Sequence, residues 1–243
     1  MTIILFDIDG TLALSGQKIT SDMIEILRQL HSKNFTLGLV GGGTYDKIKY
    51  QMDISIEFFK YIFSECGAVI HVNNRLIFEK RMTDCCDRLV LNGLIRQALI
   101  SISEMPIIYN GNQIDFRKGL VYISPPGMQA NVYERNYFLE ADQKYNLRQK
   151  LLDDLKTVDK NNKFEISFGG SVGIAIHPIG WNKSQAVDYL SGFTDDTDIY
   201  YFGDRTEPDG NDYPIFIHPK INGISVKDYI DTSNKLKDIF LKN

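Results

Sequence analysis

Apolar residues follow two rhythms along this chain. Short runs at Ile3–Phe6, Phe35–Val40, Tyr61–Ser64 and Ile199–Phe202 have the length and the branched or aromatic content of buried strands in a parallel sheet. Between them, spacings of three and four residues mark amphipathic helices. Met23, Ile24, Leu27 and Leu30 follow the N-cap candidates Thr20-Ser21-Asp22, and a second helix is expected from Thr44 or Tyr45 toward Met52. Strand, helix, strand, glycine turn and helix in succession are βαβ winding. Ala68–Val72 and Arg75–Glu79 flank Asn73-Asn74, the signature of a hairpin with a two-residue turn.

The rhythm changes near Met82. Thr83 to Met105 reads as one long helix, followed by short strand-like pieces at Ile107–Tyr109, Gln113–Arg117 and Leu120–Ile123. Helical spacing returns over Glu134–Tyr145 and Leu147–Leu155, and Phe164–Phe168 with Val172–Ile176 reads as a strand pair around Gly169-Gly170. Strands and helices that do not alternate imply an α+β unit with an antiparallel sheet. The expected organisation is therefore a parallel-sheet α/β core, residues 1–82 and 181–243, with an inserted α+β domain over 83–180. In the returning core, Asn182-Lys183 leads a helix through Leu190, Ile215–Ile217 reads as a short strand, and Thr232–Phe240 as a closing helix.

The chemistry concentrates where apolar runs end. Ligand crevices of α/β sheets lie beyond the carboxyl ends of the strands. The first strand ends in Asp7-Ile8-Asp9-Gly10-Thr11 and a later one in Gly203-Asp204. Asp7 and Asp9, two apart, lie on one side of an extended chain and repel each other, more so when buried. An oxygen-preferring cation such as Mg2+ relieves that repulsion. A calcium loop is the competing reading, but Gly10 directly after Asp9 and no helix before the loop do not fit it.

Composition narrows the partners. The 243 residues are 43% apolar and 24% charged, as in an ordinary globular protein. A net charge of −4 gives no electrostatic case for nucleic acid or an anionic membrane, and no window is apolar enough to span a bilayer. Cys66, Cys85 and Cys86 and the four scattered histidines show no metal-ligand spacing, and the absence of a signal sequence points to the cytosol.

A hydrophobic strand followed by Asp-x-Asp-Gly-Thr resembles the first motif of the haloacid dehalogenase (HAD) superfamily of aspartyl-phosphate phosphotransferases. The resemblance implies a Rossmannoid core with a cap. It makes Asp7 the nucleophile, Asp9 the proton carrier and Lys183 the fixed positive group. Mg2+ would be held by the Asp7 carboxylate, the Asp9 backbone carbonyl and Asp204, with Asp212 and Asn211 orienting that array.

FDIDGTL, LVGGGTYDKI, FRKGLVYISPPG, ERNYF, HPIGWNK and YYFGDRTEPDGNDYPIF are further similar to the eukaryotic-type phosphomannomutases over nearly the whole chain. That family interconverts mannose 6-phosphate and mannose 1-phosphate as a Mg2+-dependent dimer activated by a hexose bisphosphate. The resemblance implies a homodimer through the cap and a phosphorylated sugar bound by Arg117, Arg135, Gly42 and Gly170.

Several family positions differ. Arginines fall on Gly16 and Met128, the cap serine and aspartate on Gly173 and Ala175, residues associated with a second cation on His218 and Ile221, and a serine on Gly43. Two lost arginines would weaken distal-phosphate binding by roughly 3–6 kcal/mol if uncompensated. A phosphatase, or a mutase for another phosphorylated substrate, is therefore the alternative enzyme. A catalytically idle binding protein is the alternative outside enzymes.

Overall fold

The computed structural model describes residues 2–192 and 197–242. It divides into two compact units, residues 1–79 with 181–243, and residues 80–180. In the first unit, β1 (Thr2–Phe6) is the middle one of the five parallel strands in a seven-stranded sheet. On one side it pairs in parallel with β2 (Thr36–Val40), and β3 (Phe59–Ser64) follows. On the other side β10 (Asp198–Gly203) and β11 (Ile221–Ser225) continue the parallel set. The antiparallel hairpin of β4 (Val69–Val72) and β5 (Arg75–Glu79) extends the far edge. Asn73 and Asn74 turn it at φ 48° and 60°, the left-handed pair that a tight hairpin of this twist needs.

Ile3, Ile4, Leu5 and Phe6 are all inaccessible to solvent. Helices cover both faces of β1, so both sets of alternating side chains enter a core. Ile4 and Phe6 pack with Met23, Leu27 and Leu30 of α1 (Ser21–Ser32), and Ile48 and Met52 of α2 (Tyr45–Met52) join the same cluster. Ile3 and Leu5 pack with Ala186, Val187 and Leu190 of α7 (Gln185–Ser191). Thr20 and Thr44 cap α1 and α2 through hydrogen bonds accepted from Met23 N and Lys47 N.

The second unit is a four-stranded antiparallel sheet, with β6 (Ile114–Phe116), β7 (Val121–Ile123), β9 (Gly173–Pro178) and β8 (Phe164–Gly169) in that order. Its helices are α3 (Met82–Cys85), α4 (Arg88–Ser103), α5 (Val132–Tyr145) and α6 (Leu147–Val158). Lys80 to Met82, placed in the core from the sequence, belong here: Met82 is buried and its N–H donates to Lys118 O at 2.7 Å.

Three expected elements take another form. Thr83–Met105 is two helices, because Cys86 turns extended (ψ 158°) and Asp87 caps the second by accepting from Leu89 N and Val90 N. Ile107–Tyr109 forms no strand; the Tyr109 hydroxyl instead donates to the carbonyls of Ile102 and Met105 and closes the end of α4. Ile215–Ile217 is not a strand either. Pro214 opens the short helix α8 (Tyr213–Phe216), and the strand comes later as β11, before α9 (Tyr229–Leu236). Among the described residues no helix is long and apolar enough to cross a membrane.

Asn131 starts α5 with a full capping box: its side chain accepts from Glu134 N at 3.0 Å, while Glu134 accepts from Asn131 N at 2.8 Å. Asn131→Ala is expected to lower unfolding free energy by about 1 kcal/mol, and Asn131→Ser by a few tenths at most. Urea denaturation of the purified variants measures both.

Candidate active site

Parallel pairing puts the carboxyl ends of β1 and β10 side by side, with Phe6 opposite Phe202. Asp7 and Asp204 leave these ends, and Asp7 N–H donates to Phe202 O at 2.9 Å. Gly10 turns the chain back at φ +90°, and a Cβ there would collide with the Asp204 carboxylate. A glycine is therefore required for close approach as well as for conformation. Gly203 is similar, since a Cβ would stand 2.7 Å from the Asp212 carboxyl carbon.

Lys183 occupies the turn before α7 and is wholly buried. Its Nζ donates to Asp7 Oδ1 and to Asp212 Oδ1, each at 2.5 Å. Asp212 is saturated further. Tyr201 O–H donates to Oδ1 at 2.5 Å and Arg205 N–H to Oδ2 at 3.0 Å. The turn that carries Lys183 is fixed by Asn182, whose Oδ1 accepts from Ser184 N and Oγ. Behind it, Gln185 Nε2 donates to Cys66 O at 2.7 Å. Glu65, Cys66 and Gly67 run at φ 51°, 57° and 91°, a strained path held because Glu65 N and Cys66 N donate to Gly43 O and Gly41 O. The glycine loop after β2, Gly42 included, and the start of α7 are thereby locked together.

Burial sets the electrostatics. It is the largest influence on Asp7, which Asp212 and Asp204 push further in the same direction against Lys183; the carboxyl rises to about 7. Burial also raises Asp204, helped by Asp212. Burial would raise Asp212, but Lys183, Tyr201 and Arg205 N–H outweigh it and hold it low. Burial opposes charge on Lys183 as well, yet Asp212 and Asp7 more than reverse this and keep the ammonium charged.

Three carboxylates and one ammonium leave a local excess of negative charge. Ligand oxygens of Asp7, Asp204 and Asp212 all lie within 4.8 Å of one another. Asp204 Oδ1 and Thr11 Oγ1 are buried with no hydrogen-bond partner among the described residues. An all-oxygen cluster with a carboxylate atom unsatisfied fits a hard divalent cation.

Asp9 faces elsewhere. Its carboxylate accepts from Lys47 Nζ (2.7 Å), Gln51 Nε2 (2.8 Å) and Gly16 N (2.8 Å). Burial raises it, but these donors, Lys47 first, hold it below the usual carboxylate range. The sequence reading missed Lys47 and Gln51. Their signal is position: four residues apart on α2, directly after the glycine loop, they share one helix face. Tyr201 was also missed, read as strand core; a buried tyrosine hydroxyl needs a partner, and here it is Asp212. Asn211 is exposed in the preceding turn.

The remaining candidates lie in the second unit. Arg117 Nε donates to Asp115 Oδ2 at 2.7 Å, and Arg135 Nε to Ala130 O at 2.9 Å. Gly170 turns the β8–β9 hairpin at φ +59°. At the positions that differ from the family pattern, Gly16 supplies a backbone donor to Asp9, and His218 Nδ1 accepts from Lys220 N in the turn before β11, which Ile221 begins.

A family model described as eukaryotic phosphomannomutase matches residues 23–242. The phosphomannomutase of Babesia bovis is 36% identical over 244 residues, covering 99% of this chain and 98% of its own. Human phosphomannomutase 1 is 36% identical over 241 residues, covering 97% and 91%. Among solved structures, IMP-bound Plasmodium falciparum IMP-nucleotidase superposes with a TM-score of 0.71 at 15% identity, covering 100% of this chain and 67% of that one. A trehalose-6-phosphate phosphatase related protein gives 0.51 at 18%, covering 98% and 96%. These structural likenesses establish an HAD-like fold.

Substitutions at the two partners of this ion pair should act in opposite directions. Unfolded Asp7 titrates near 3.8 and folded Asp7 near 7. As pH rises between these values the unfolded chain loses its proton first, so the native state loses stability, and above 7 the loss is constant. Without added cation, Asp7→Asn should gain on wild type from pH 4 to 7 and be more stable by roughly 2–4 kcal/mol at pH 8. Lys183→Met, which strands two buried carboxylates, should cost about 3–5 kcal/mol. Denaturation at pH 4.5 and 8 measures both signs. Gln51→Leu and Lys47→Met should lower kcat about 10–100-fold with little change in KM, because they orient Asp9 without meeting substrate. Steady-state kinetics of phosphoryl transfer gives that split.

Proposed function

The chain belongs to the eukaryotic phosphomannomutase family, and on that premise we propose that it moves a phosphoryl group between two oxygens of a phosphorylated hexose through an aspartyl phosphate on Asp7. The observation that carries this reading is Asp7 itself: a buried carboxylate with one oxygen anchored on Lys183 at the end of the central strand.

The remaining oxygen of Asp7 attacks phosphorus of a hexose bisphosphate, and the phosphorus–oxygen bond to the sugar breaks. The departing sugar oxygen takes its proton from Asp9, which must first leave the Lys47 ion pair that otherwise holds it ionised. In the return step Asp9 takes a proton from the other hydroxyl of a hexose monophosphate, which attacks the aspartyl phosphate and restores Asp7. Lys183 lies against the transferred group and offsets its charge, while Asp212 and Tyr201 keep the ammonium in place. Phosphomonoesters react very slowly without catalysis, so fixed charge and alignment must supply most of the acceleration.

The residues that would hold Mg2+ are the carboxylates of Asp7 and Asp204 and the backbone carbonyl of Asp9. When bound, that ion supplies charge neutralisation on the phosphoryl oxygens and between the carboxylates. Arg117 and Arg135 are the proposed contacts for the rest of the sugar phosphate, with Gly42 and Gly170 at close approaches. A cytosolic homodimer joined through the second unit fits Leu89, Leu99 and Ile100, which α4 leaves exposed.

A phosphatase for another sugar phosphate is the second reading, favoured by Gly173 and Ala175, which present no polar side chain on the second unit's sheet. Mannose 1-phosphate isomerisation, with a hexose bisphosphate and Mg2+, assayed beside phosphate release from a sugar-phosphate panel, decides between them. Isomerisation that exceeds release and is abolished by Asp7→Asn is expected. Release alone would favour the phosphatase, and neither activity would leave a binding protein.

A further inference from the structure

Resting on the reading of Mg2+ at Asp7 and Asp204 given above, we propose that Tyr201 is a positioning residue that withholds Asp212 from the metal. The site then offers two carboxylates rather than three, and takes Mg2+ in preference to Ca2+.

Three acids stand close enough to share one ion, since oxygens of Asp7, Asp204 and Asp212 lie within 4.8 Å of one another. Hydrogen bonding sets one of them apart. Asp204 Oδ1 has no partner among the described residues, and Asp7 gives one oxygen to Lys183. Asp212 is bonded at both oxygens. Its Oδ1 accepts from Lys183 Nζ and from the Tyr201 hydroxyl, each at 2.5 Å, and its Oδ2 from Arg205 N–H at 3.0 Å. An oxygen of an ionised carboxylate has about two acceptor sites, so Oδ1 is full. Oδ2 lies against Gly203, where a Cβ would stand 2.7 Å from it.

Neither the acid nor the phenol is placed to turn away. Asp212 N–H donates to Arg205 O at 3.2 Å and Phe216 N–H to Asp212 O at 2.9 Å, pinning both backbone groups of the residue. Gly210 allows the intervening loop to close, since a Cβ there would stand 1.9 Å from Arg205 O. Tyr201 lies opposite Leu5 in the sheet and is wholly buried, in the cluster that holds Ile3, Val187 and Ile215. The hydroxyl is therefore delivered from a rigid element. Its proton has one destination. Lys183 Nζ, 3.5 Å away, is a donor with no lone pair to offer, which leaves Asp212.

Of the two donors that fill Oδ1, Lys183 is shared with Asp7, whereas the Tyr201 proton serves Asp212 only. Removing the hydroxyl reopens an acceptor site on a buried carboxylate that stands beside two others. A third carboxylate matters more to Ca2+ than to Mg2+. Calcium takes about six to eight oxygens in flexible geometry, whereas magnesium keeps several waters and uses one or two carboxylates.

Calorimetric titration of MgCl2 and of CaCl2 into the substrate-free protein tests the proposal. Tyr201→Phe keeps the ring and removes the hydroxyl. It should raise affinity for Ca2+ relative to Mg2+ by about tenfold or more. Tyr200→Phe makes the same change on the opposite face of β10, where the ring packs with the other core cluster. It should leave the ratio within about threefold of wild type.

A ratio that Tyr201→Phe leaves unchanged overturns the proposal. So does a shift toward Mg2+, an equal shift in Tyr200→Phe, or a wild type that takes up neither ion. Phosphate release from acetyl phosphate by the wild type in Mg2+ reports the phosphotransferase reading separately, since ion selectivity is measured with no phosphoryl donor present.

Discussion

The ammonium of Lys183, buried between Asp7 and Asp212, is the contact on which the rest of the molecule depends. None of the three ions could occupy this interior alone, since the effective cost of burying one unpaired ion is several kcal/mol. Together they persist, and the surrounding structure is arranged to keep them together. The end of β1 delivers Asp7, the turn before α7 delivers Lys183, and the segment after β10 delivers Asp212. What offsets the cost is apolar burial next door. Ile3, Ile4, Leu5 and Phe6, all fully buried, contribute roughly 1.5–3 kcal/mol each. A strand that is apolar on both faces can carry a destabilised carboxylate at its tip.

The same contact divides labour among the acids. Asp7 is raised by burial and sits closest to giving up or keeping a proton, whereas Asp212 is held low by Lys183, Tyr201 and Arg205 N–H. Asp9, two residues from Asp7, is tied to α2 by Lys47 and Gln51 instead. Two carboxylates so near in sequence are thus given different surroundings, which raise one and hold the other low.

Much of this could be read from the chain because it depends on local order. The apolar run before Asp7, the glycine turns and the Thr20 and Thr44 caps are short-range signals, and the elements they mark are present. Elements set by longer-range packing were less legible. Cys86 and Asp87 break a pattern whose hydrophobic spacing runs straight through, and β11 exists because β10 offers an edge to pair with. Lys47, Gln51 and Tyr201 were missed because their partners, Asp9 and Asp212, lie elsewhere in the sequence; the shared helix face of Lys47 and Gln51 marks a pair but does not name what it holds. The second unit shows this most clearly, since Gly173 reads as a loss in the sequence and as the seat of an aromatic ring in the structure.

The central claim is that this buried array exists to form and discharge a phosphoryl group on Asp7. Borohydride reduction of the protein after brief exposure to a hexose bisphosphate and Mg2+, followed by peptide mass spectrometry, tests it directly, because an aspartyl phosphate is reduced to homoserine. The account predicts homoserine at position 7 in wild type and none in Asp7→Asn. Homoserine at another aspartate, or turnover with none at position 7, would contradict it.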